Sequence, residues 1–186
     1  NPGKVLCVGI NYRSHAAEHG HAVAEKPNIF TKFNDCLCEH EGVMWRPKAS
    51  QCLDFEGEMA VVIGKGGRDI APEHAAAHVF GYTCVNDVTA LEMLHADASF
   101  AQWTRCKSMD GFTPFGPWIE TELDLSQVQV VARVNGRERQ NYAVSDMFFS
   151  PLELVSRLSR DVTLQPGDLI SCGTSLGAMP WQVGAT

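Results

Sequence analysis

The chain has 186 residues, a formal net charge of −7, and 20% charged and 45% hydrophobic residues. This length predicts one domain, and this composition excludes an intrinsically disordered chain. No apolar run reaches the roughly 18 residues of a membrane span, and the first residues do not resemble a signal peptide, so we expect a cytoplasmic protein. The acidic balance argues against nucleic-acid and membrane partners, because both require a basic surface.

The seven cysteines are unevenly spaced and odd in number, which favours a reducing compartment over a disulfide framework. Cys36 and Cys38 form a C-x-C pair without a second thiol pair at zinc-site spacing. We therefore expect most of these thiols to be buried as small apolar groups.

The predicted elements are mostly strands, with a few short helices between them. Strands are predicted at 4–10, 53–63, 79–87, 127–134, 137–144 and 169–172. Helices are predicted at 12–19 with Asn11 as N-cap, at 72–79, and from Ser150 to about residue 160. Asn135-Gly136 is a strong signal for a two-residue hairpin, and 21–50 is predicted to be rich in loops. The absence of repeated βαβ units favours a mixed β (α+β) fold over a Rossmann fold or an α/β barrel.

Carboxylates alternate along the predicted strand 53–63. Asp54, Glu56 and Glu58 occupy even positions, so they project from one face of a strand at about 6.6–6.8 Å spacing. An edge strand with a solvated acidic face would explain this pattern, and so would a cation shared by Glu56 and Glu58. Asp87, at the end of the next strand, offers a third ligand. Three carboxylates select Mg²⁺ or Mn²⁺ and leave coordination positions for water and substrate, which is a catalytic arrangement.

A histidine and a glutamate share a face of the first predicted helix. His15 and Glu18 are at positions i and i+3, where a carboxylate can orient an imidazole as a general base. Such a pair is also common on ordinary helix surfaces, so the spacing leaves both interpretations open.

Six segments of the sequence resemble the fumarylacetoacetate hydrolase family. In chain order they are GINYRSHAAEHG at 9–20, DFEGEMAVVIGKGGRDI at 54–70, GYTCVNDVTA at 81–90, WTRCKSMDGFTPFGPWI at 103–119, VNGRERQ at 134–140 and LQPGDLISCGTSLG at 164–177. Their order and spacing both agree with the family, so the resemblance is far more specific than any single motif.

The resemblance implies a fold and an assembly. The family has a mixed β-sandwich roll with short helices, and its members usually form homodimers. Residues 1–186 would then be a single catalytic domain that lacks the family's final strand or strands.

The resemblance also implies roles for site residues. Members of the family bind Mg²⁺ or Mn²⁺, and their metal ligands correspond to Glu56, Glu58 and Asp87. The dyad that activates water corresponds to His15 and Glu18. A lysine that contacts the substrate and stabilises negative charge corresponds to Lys107, and a substrate-contacting threonine corresponds to Thr174.

Two residues depart from the family pattern. Leu91 and Leu94 stand where members commonly have an arginine and a glutamine that hold the polar or carboxylate end of the substrate. Loss of the arginine removes a bidentate carboxylate clamp. Either the substrate has a less acidic tail, or Arg105 or Arg13 substitutes, or activity is weak or lost.

The function implied by the resemblance is Mg²⁺- or Mn²⁺-dependent hydrolysis of a C–C bond in a β-diketo or acylpyruvate-type 2-oxo acid, through an enolate. An oxaloacetate-type decarboxylase and a 2-hydroxy-dienoate isomerase are alternatives at the same site. A homologue that binds metal and ligand without turnover is an alternative from another class.

Overall fold

The computed structural model describes residues 2–181 and residue 184. In that part of the chain the strands are β1 Val5–Gly9, β2 Asn28–Lys32, β3 Leu37–Cys38, β4 Leu53–Phe55, β5 Gly57–Ile63, β6 Val79–Asn86, β7 Thr113–Glu120, β8 Gln129–Val134, β9 Arg137–Ala143, β10 Leu169–Ser171 and β11 Met179–Trp181. The α-helices are α1 Arg13–Glu18, α2 Leu91–Leu94, α3 Trp103–Lys107 and α4 Pro151–Asp161. None of the described helices is long and apolar enough to cross a membrane.

A seven-stranded mixed sheet forms the body of the molecule. Its strand order is β2-β1-β10-β5-β6-β7-β3. The sheet is antiparallel except for two parallel pairs, β1 with β10 and β3 with β7. Two smaller sheets pair β11 with β4 and β8 with β9. These sheets and the short helices confirm the predicted mixed α+β fold of the family type.

The main core lies between the central strands and α4. Val61 and Ile170 of the sheet and Leu154 of the helix are fully buried in one cluster. Every residue from 58 to 63 of β5 is buried, so this strand is covered on both faces. That explains why its second half reads as a continuous apolar run and not as an alternating pattern.

The structure confirms two elements that were predicted from local sequence, the β8–β9 hairpin and the start of helix α4. Asn135 and Gly136 both have positive φ, 52° and 73°, as a two-residue hairpin turn requires, and they join β8 to β9. Helix α4 begins with Pro151, and the Ser150 side chain accepts a hydrogen bond from the Glu153 N–H.

The predicted continuous strand 53–63 is wrong, because the structure breaks it at Glu56. The Glu56 N–H donates to Asn86 Oδ1 at 3.0 Å, and the Gly57 N–H donates to Gln140 Oε1 at 2.9 Å. Side chains thus satisfy two successive amides that a regular ladder would pair with a neighbouring strand. The break divides β4 from β5.

Other predicted elements also differ from the structure. Tyr12, not Asn11, is the N-cap of α1; the buried Asn11 amide donates to the carbonyls of Phe149 and Cys172 at 3.0 and 2.8 Å and ties distant segments together. The helix predicted at 72–79 is a 3₁₀ helix, Pro72–His78. The loop-rich segment 21–50 contains β2 and β3. That 1–186 lacks the family's final strand or strands stays a prediction.

Candidate active site

Pairing of β5 with β6 assembles an acidic centre. Glu56 directly precedes β5, Glu58 is the second residue of β5, and Asp87 follows the end of β6; the register places Gly57 opposite Asn86. One carboxylate oxygen from each of the three acids lies within 4.8 Å of the other two. The structure therefore brings together the three side chains predicted as metal ligands.

Two lysines hold Asp87 in its charged form. The Lys32 ammonium donates to Asp87 Oδ1 at 2.6 Å, and the Lys107 ammonium donates to Oδ2 at 2.7 Å. Burial by itself would raise the pKa of Asp87, but the two ammonium groups outweigh it and lower that pKa. Asp87 is thus a carboxylate over the whole physiological pH range.

Lys107 lies at the end of α3, buried among acceptors. Its Nζ donates to Asp87 Oδ2, to Glu56 Oε2 at 2.9 Å and to Thr89 Oγ1 at 2.7 Å, which uses all three donors of an ammonium. Burial opposes the charge, but Asp87 and Glu56 outweigh burial and raise the pKa of Lys107. The predicted lysine is therefore a fixed positive charge in the site.

Glu58 is the acid that gains least from positive charge. It is 3% exposed, and both hydrogen bonds that it accepts, from the Ser171 hydroxyl and from the Gly173 N–H at 2.9 Å, are on Oε2. Burial, followed by the negative charges of Asp87 and Glu56, raises the pKa of Glu58 to about 8.

This electrostatic situation fits a bound divalent cation. A cation between the three acids would offset their repulsion and the burial of Glu58. The donors are all carboxylate oxygens, without thiolate or imidazole, and such a set suits Mg²⁺ or Mn²⁺ better than Zn²⁺.

His15 faces the same site from α1. It lines one cavity of about 320 Å³ together with the three acids and Lys107. Its Nδ1 is buried and has no hydrogen-bond partner among the described residues. Burial and the neighbouring His19 lower the pKa of His15, although Glu18 opposes them. The imidazole is therefore neutral near pH 7 and able to accept a proton.

The predicted orientation of His15 by Glu18 is not seen as a contact. Within the described part of the chain no hydrogen bond joins the two side chains. Instead Glu18 Oε2 lies 3.7 Å from His19 Nε2, and the Glu18 side chain is 54% exposed. Ligand atoms of all three residues do lie within 4.8 Å of one another, so Glu18 remains within reach of His15.

Thr174 lines the cavity and is held by a residue that the sequence analysis did not single out. The buried Gln140 donates from Nε2 to Thr174 Oγ1 at 2.9 Å, while its Oε1 accepts the Gly57 N–H. The Thr174 hydroxyl in turn lies 3.2 Å from the Gly57 carbonyl. Gln140 thus positions both the backbone between the two glutamates and the predicted substrate-binding threonine.

Neither arginine considered as a substrate ligand lines the cavity. Arg105 is exposed on α3. Arg13 donates to the carbonyls of Asp146 and Met147, and its guanidinium lies 5.2 Å from the centre of the Phe148 ring. Among the described residues, the cavity lining includes no arginine.

Lys32 is a further charged residue of the site, and it was not predicted. This residue ends β2, inside the segment that was predicted to be loop-rich, and it is 3% exposed. The preceding Ile29-Phe30-Thr31 combines β-branched and aromatic residues, and that was the available strand signal.

A carboxylate triad, an ammonium group and a neutral imidazole line one cavity, an arrangement that suits a metal-assisted reaction. The chain matches the family described as fumarylacetoacetate (FAA) hydrolase C-terminal over residues 4–185. It belongs to the fumarylacetoacetate hydrolase family.

Three relatives show how varied the family's reactions are. The chain is 40% identical to oxaloacetate tautomerase YisK of Bacillus subtilis, over 93% of this chain and 58% of the relative. It superposes with TM-score 0.90 and 38% identity on 5-carboxymethyl-2-hydroxymuconate delta-isomerase from Mycobacterium smegmatis, over 99% of this chain and 72% of that one. Fumarylpyruvate hydrolase from Pseudomonas aeruginosa, in complex with Mn²⁺ and pyruvate, gives TM-score 0.87 and 32% identity over 99% and 82%.

Proposed function

We propose that the protein is a Mg²⁺- or Mn²⁺-dependent enzyme that forms the enolate of a 2-oxo acid or β-diketo acid. The observation that carries this proposal is the triad of Glu56, Glu58 and Asp87, two of them buried, in one cavity with Lys107 and the neutral His15. A bound divalent ion would supply Lewis-acid stabilisation of negative charge on the substrate oxygens.

The chain's own residues then have separate tasks. His15 accepts the proton that the substrate loses when the enolate forms, because its lowered pKa keeps the imidazole neutral near pH 7. Lys107 supplies a permanent positive charge beside the developing negative charge, since its pKa is raised. Thr174 is a hydroxyl at the cavity wall that can contact the substrate, held there by Gln140.

Two reactions can involve such an enolate, either as the intermediate of a proton transfer or as the fragment released when a C–C bond is hydrolysed, and the geometry favours one. Keto–enol proton transfer, in a tautomerase or isomerase, needs one neutral base, which His15 supplies. Hydrolysis of an acylpyruvate-type C–C bond needs an oriented base to activate water, and Glu18 is paired with His19 instead. We therefore place proton transfer first and hydrolysis second. The fumarylpyruvate hydrolase of similar fold supports hydrolysis as the second candidate.

The test is a metal-dependent assay of both reactions. Protein treated with EDTA and then reloaded with Mg²⁺ or Mn²⁺ is given the enol form of phenylpyruvate, followed by its ultraviolet absorbance, and separately acetylpyruvate. We expect metal-dependent loss of the enol and slower or no cleavage of acetylpyruvate. Full activity in excess EDTA would overturn the proposal. Binding of oxalate with no turnover of either compound would favour a homologue that only binds ligands.

We also propose a cytoplasmic homodimer. Exposed apolar side chains on β6 and β7, such as Phe80 at 55% and Trp118 at 71% exposure, would be covered in such an assembly. Light scattering after size-exclusion chromatography tests the dimer, and a monomeric mass at micromolar concentration would contradict it.

A further inference from the structure

We propose that this site takes 2-oxo acids with an apolar tail, and that Leu91 and Leu94 set that specificity. The inference depends on the proposed function, because it places the keto-acid end of the ligand at the acidic centre. It goes further by assigning the remainder of the cavity to a tail without charge.

The two leucines lie close to the metal ligands in the chain and in space. Helix α2 begins at Leu91, four residues after Asp87, and both leucines line the cavity with Asp87. Residues three apart share a helix face, so the two side chains belong to one apolar surface. Leu94 is 4% exposed and packs in a core cluster, whereas Leu91 is 41% exposed. Leu91 thus keeps apolar surface that a ligand can cover.

An aromatic pair extends the apolar wall from the charged end of the cavity. The rings of Phe30 and Trp103 stack with centroids 5.5 Å apart, and both line the cavity. The Lys107 ammonium lies 5.1 Å from the centre of the Phe30 ring. A ligand that reaches the acidic centre therefore meets an aromatic surface directly beside it.

There is also room for a tail beyond this pair. A second cavity of about 530 Å³ shares Phe30 and Trp103 with the first, together with Gly9 and Ile10. Its other lining residues are Pro27, Asn28 and Ile29. This second cavity has no charged lining residue among those described, so it presents uncharged surface beside the aromatic pair.

Among the described residues of this part of the site, an acidic tail would find no ammonium or guanidinium group free to pair with it. No described arginine lines the cavity, Lys107 already donates to three acceptors, and Lys32 is bound to Asp87. The remaining basic groups of the lining, besides His15, are the imidazoles of His19, His21 and His95. A carboxylate tail would lose its hydration without a partner of opposite charge, whereas an apolar tail gains by leaving water.

The test compares two ligands whose tails have nearly the same shape. 5-Methyl-2-oxohexanoate ends in an isopropyl group where 2-oxoglutarate ends in a carboxylate. Their dissociation constants are measured by calorimetry with saturating Mg²⁺ at pH 8. We expect the branched apolar tail to bind about ten-fold more tightly or better, in the range of a hydrophobic pocket's discrimination. Oxalate, which has no tail, is the reference ligand.

Leu91→Arg is the decisive variant. A guanidinium at this position should reverse the order and bind 2-oxoglutarate at least about ten-fold more tightly than the wild type does, since an arginine pairs bidentately with a carboxylate. Leu123→Arg is the matched control, because Leu123 is similarly exposed, at 37% against 41%, and lies outside the cavity lining. The control should keep the wild-type preference and the wild-type affinity for oxalate.

The outcomes separate this inference from the proposed function. If the wild type binds oxalate but binds 2-oxoglutarate as tightly as 5-methyl-2-oxohexanoate, or more tightly, the apolar subsite alone is overturned. The subsite is also overturned if Leu91→Arg and Leu123→Arg show the same preference. If the wild type does not bind oxalate at saturating Mg²⁺, the proposed function is overturned, and this inference with it.

Discussion

The acidic centre and the α1 helix lie on one cavity, but the structure prepares them to different degrees. Asp87 and Lys107 are 1% and 2% exposed, and each makes at least two charged contacts of 2.6–2.9 Å. On α1, by contrast, Glu18 is 54% exposed, and His15 Nδ1 is buried without a hydrogen-bond partner among the described residues. The charge-stabilising half is fixed by these buried ion pairs, and the proton-transfer half is held by one short helix.

The two regions therefore contribute to the reaction in different ways. A preorganised set of charges needs no rearrangement when negative charge develops on the substrate, so it contributes to any reaction that forms an enolate. The His15 imidazole, whose Nδ1 has no hydrogen-bond partner among the described residues, is the part on which the choice of reaction depends. Variants of the two regions should therefore differ in kind and in size.

The largest effect is expected at Asp87. Asp87→Ala should abolish turnover and weaken Mg²⁺ affinity by more than about 100-fold, the upper range for residues that merely support a metal ligand. It also leaves the buried Lys32 ammonium without its carboxylate and removes one of the two carboxylates that pair with Lys107, at a cost of about 3–5 kcal/mol of stability. Turnover, calorimetric Mg²⁺ titration and circular dichroism measure these changes.

Asp87→Asn is the companion variant, because it keeps the shape of the side chain. A folded Asp87→Asn protein that turned over substrate at the wild-type rate without metal would show that the acidic centre has no catalytic function.

The next effect is expected at His15. His15→Gln should lower kcat by about 10²–10⁴, the usual contribution of a general base, while Mg²⁺ and oxalate still bind. The exposed His74, which does not line the cavity, gives the control variant His74→Gln. A wild-type kcat in His15→Gln would assign proton transfer to another group, and loss of Mg²⁺ binding would mean that the two regions are not independent.

The pH dependence should identify the same group. The pKa of His15 lies below its ordinary value of 6.5, because burial and His19 disfavour the imidazolium. The base must be neutral, so kcat at saturating metal should stay constant from pH 8 down past 6.5 and fall only at lower pH. His15→Gln should lack this acid limb; an unchanged limb in the variant would attribute it to protonation elsewhere.

The smallest effect is expected at Glu18. Glu18→Gln should lower the rate of proton transfer by less than about five-fold, because an exposed pair contributes at most about 1 kcal/mol. The comparison with acetylpyruvate cleavage sharpens the assignment of reaction. A loss on that substrate as large as that of His15→Gln would show that Glu18 orients His15 when substrate binds, and would favour hydrolysis over proton transfer.

How far the sequence predicted the structure depends on the range of the interactions involved. The Asn135-Gly136 hairpin and the cap at Ser150 are local, and both were predicted correctly. The spacing of Glu56 and Glu58 was informative because strand geometry places them on one face. The same strand geometry failed at the break between β4 and β5, because that break depends on Asn86 and Gln140, which are distant in sequence.

Site residues that were not predicted from the sequence also depend on contacts between distant parts of the chain. Lys32 lies 55 positions from Asp87, and nothing in a strand of ordinary composition predicts which acid its ammonium will meet. The role of Glu18 in orienting His15 stays a prediction, since helical spacing permits a pair without choosing between His15 and the adjacent His19.

The most direct test of the central claim is a calorimetric titration of Mn²⁺ into metal-free wild type and Glu58→Gln, each with and without oxalate. The account predicts one Mn²⁺ per wild-type chain, tighter binding in the presence of oxalate, and at least about a ten-fold loss of Mn²⁺ affinity in Glu58→Gln, the lower range found for residues that only support a ligand. Equal Mn²⁺ affinity in both proteins, unaffected by oxalate, would contradict a metal site at Glu56, Glu58 and Asp87.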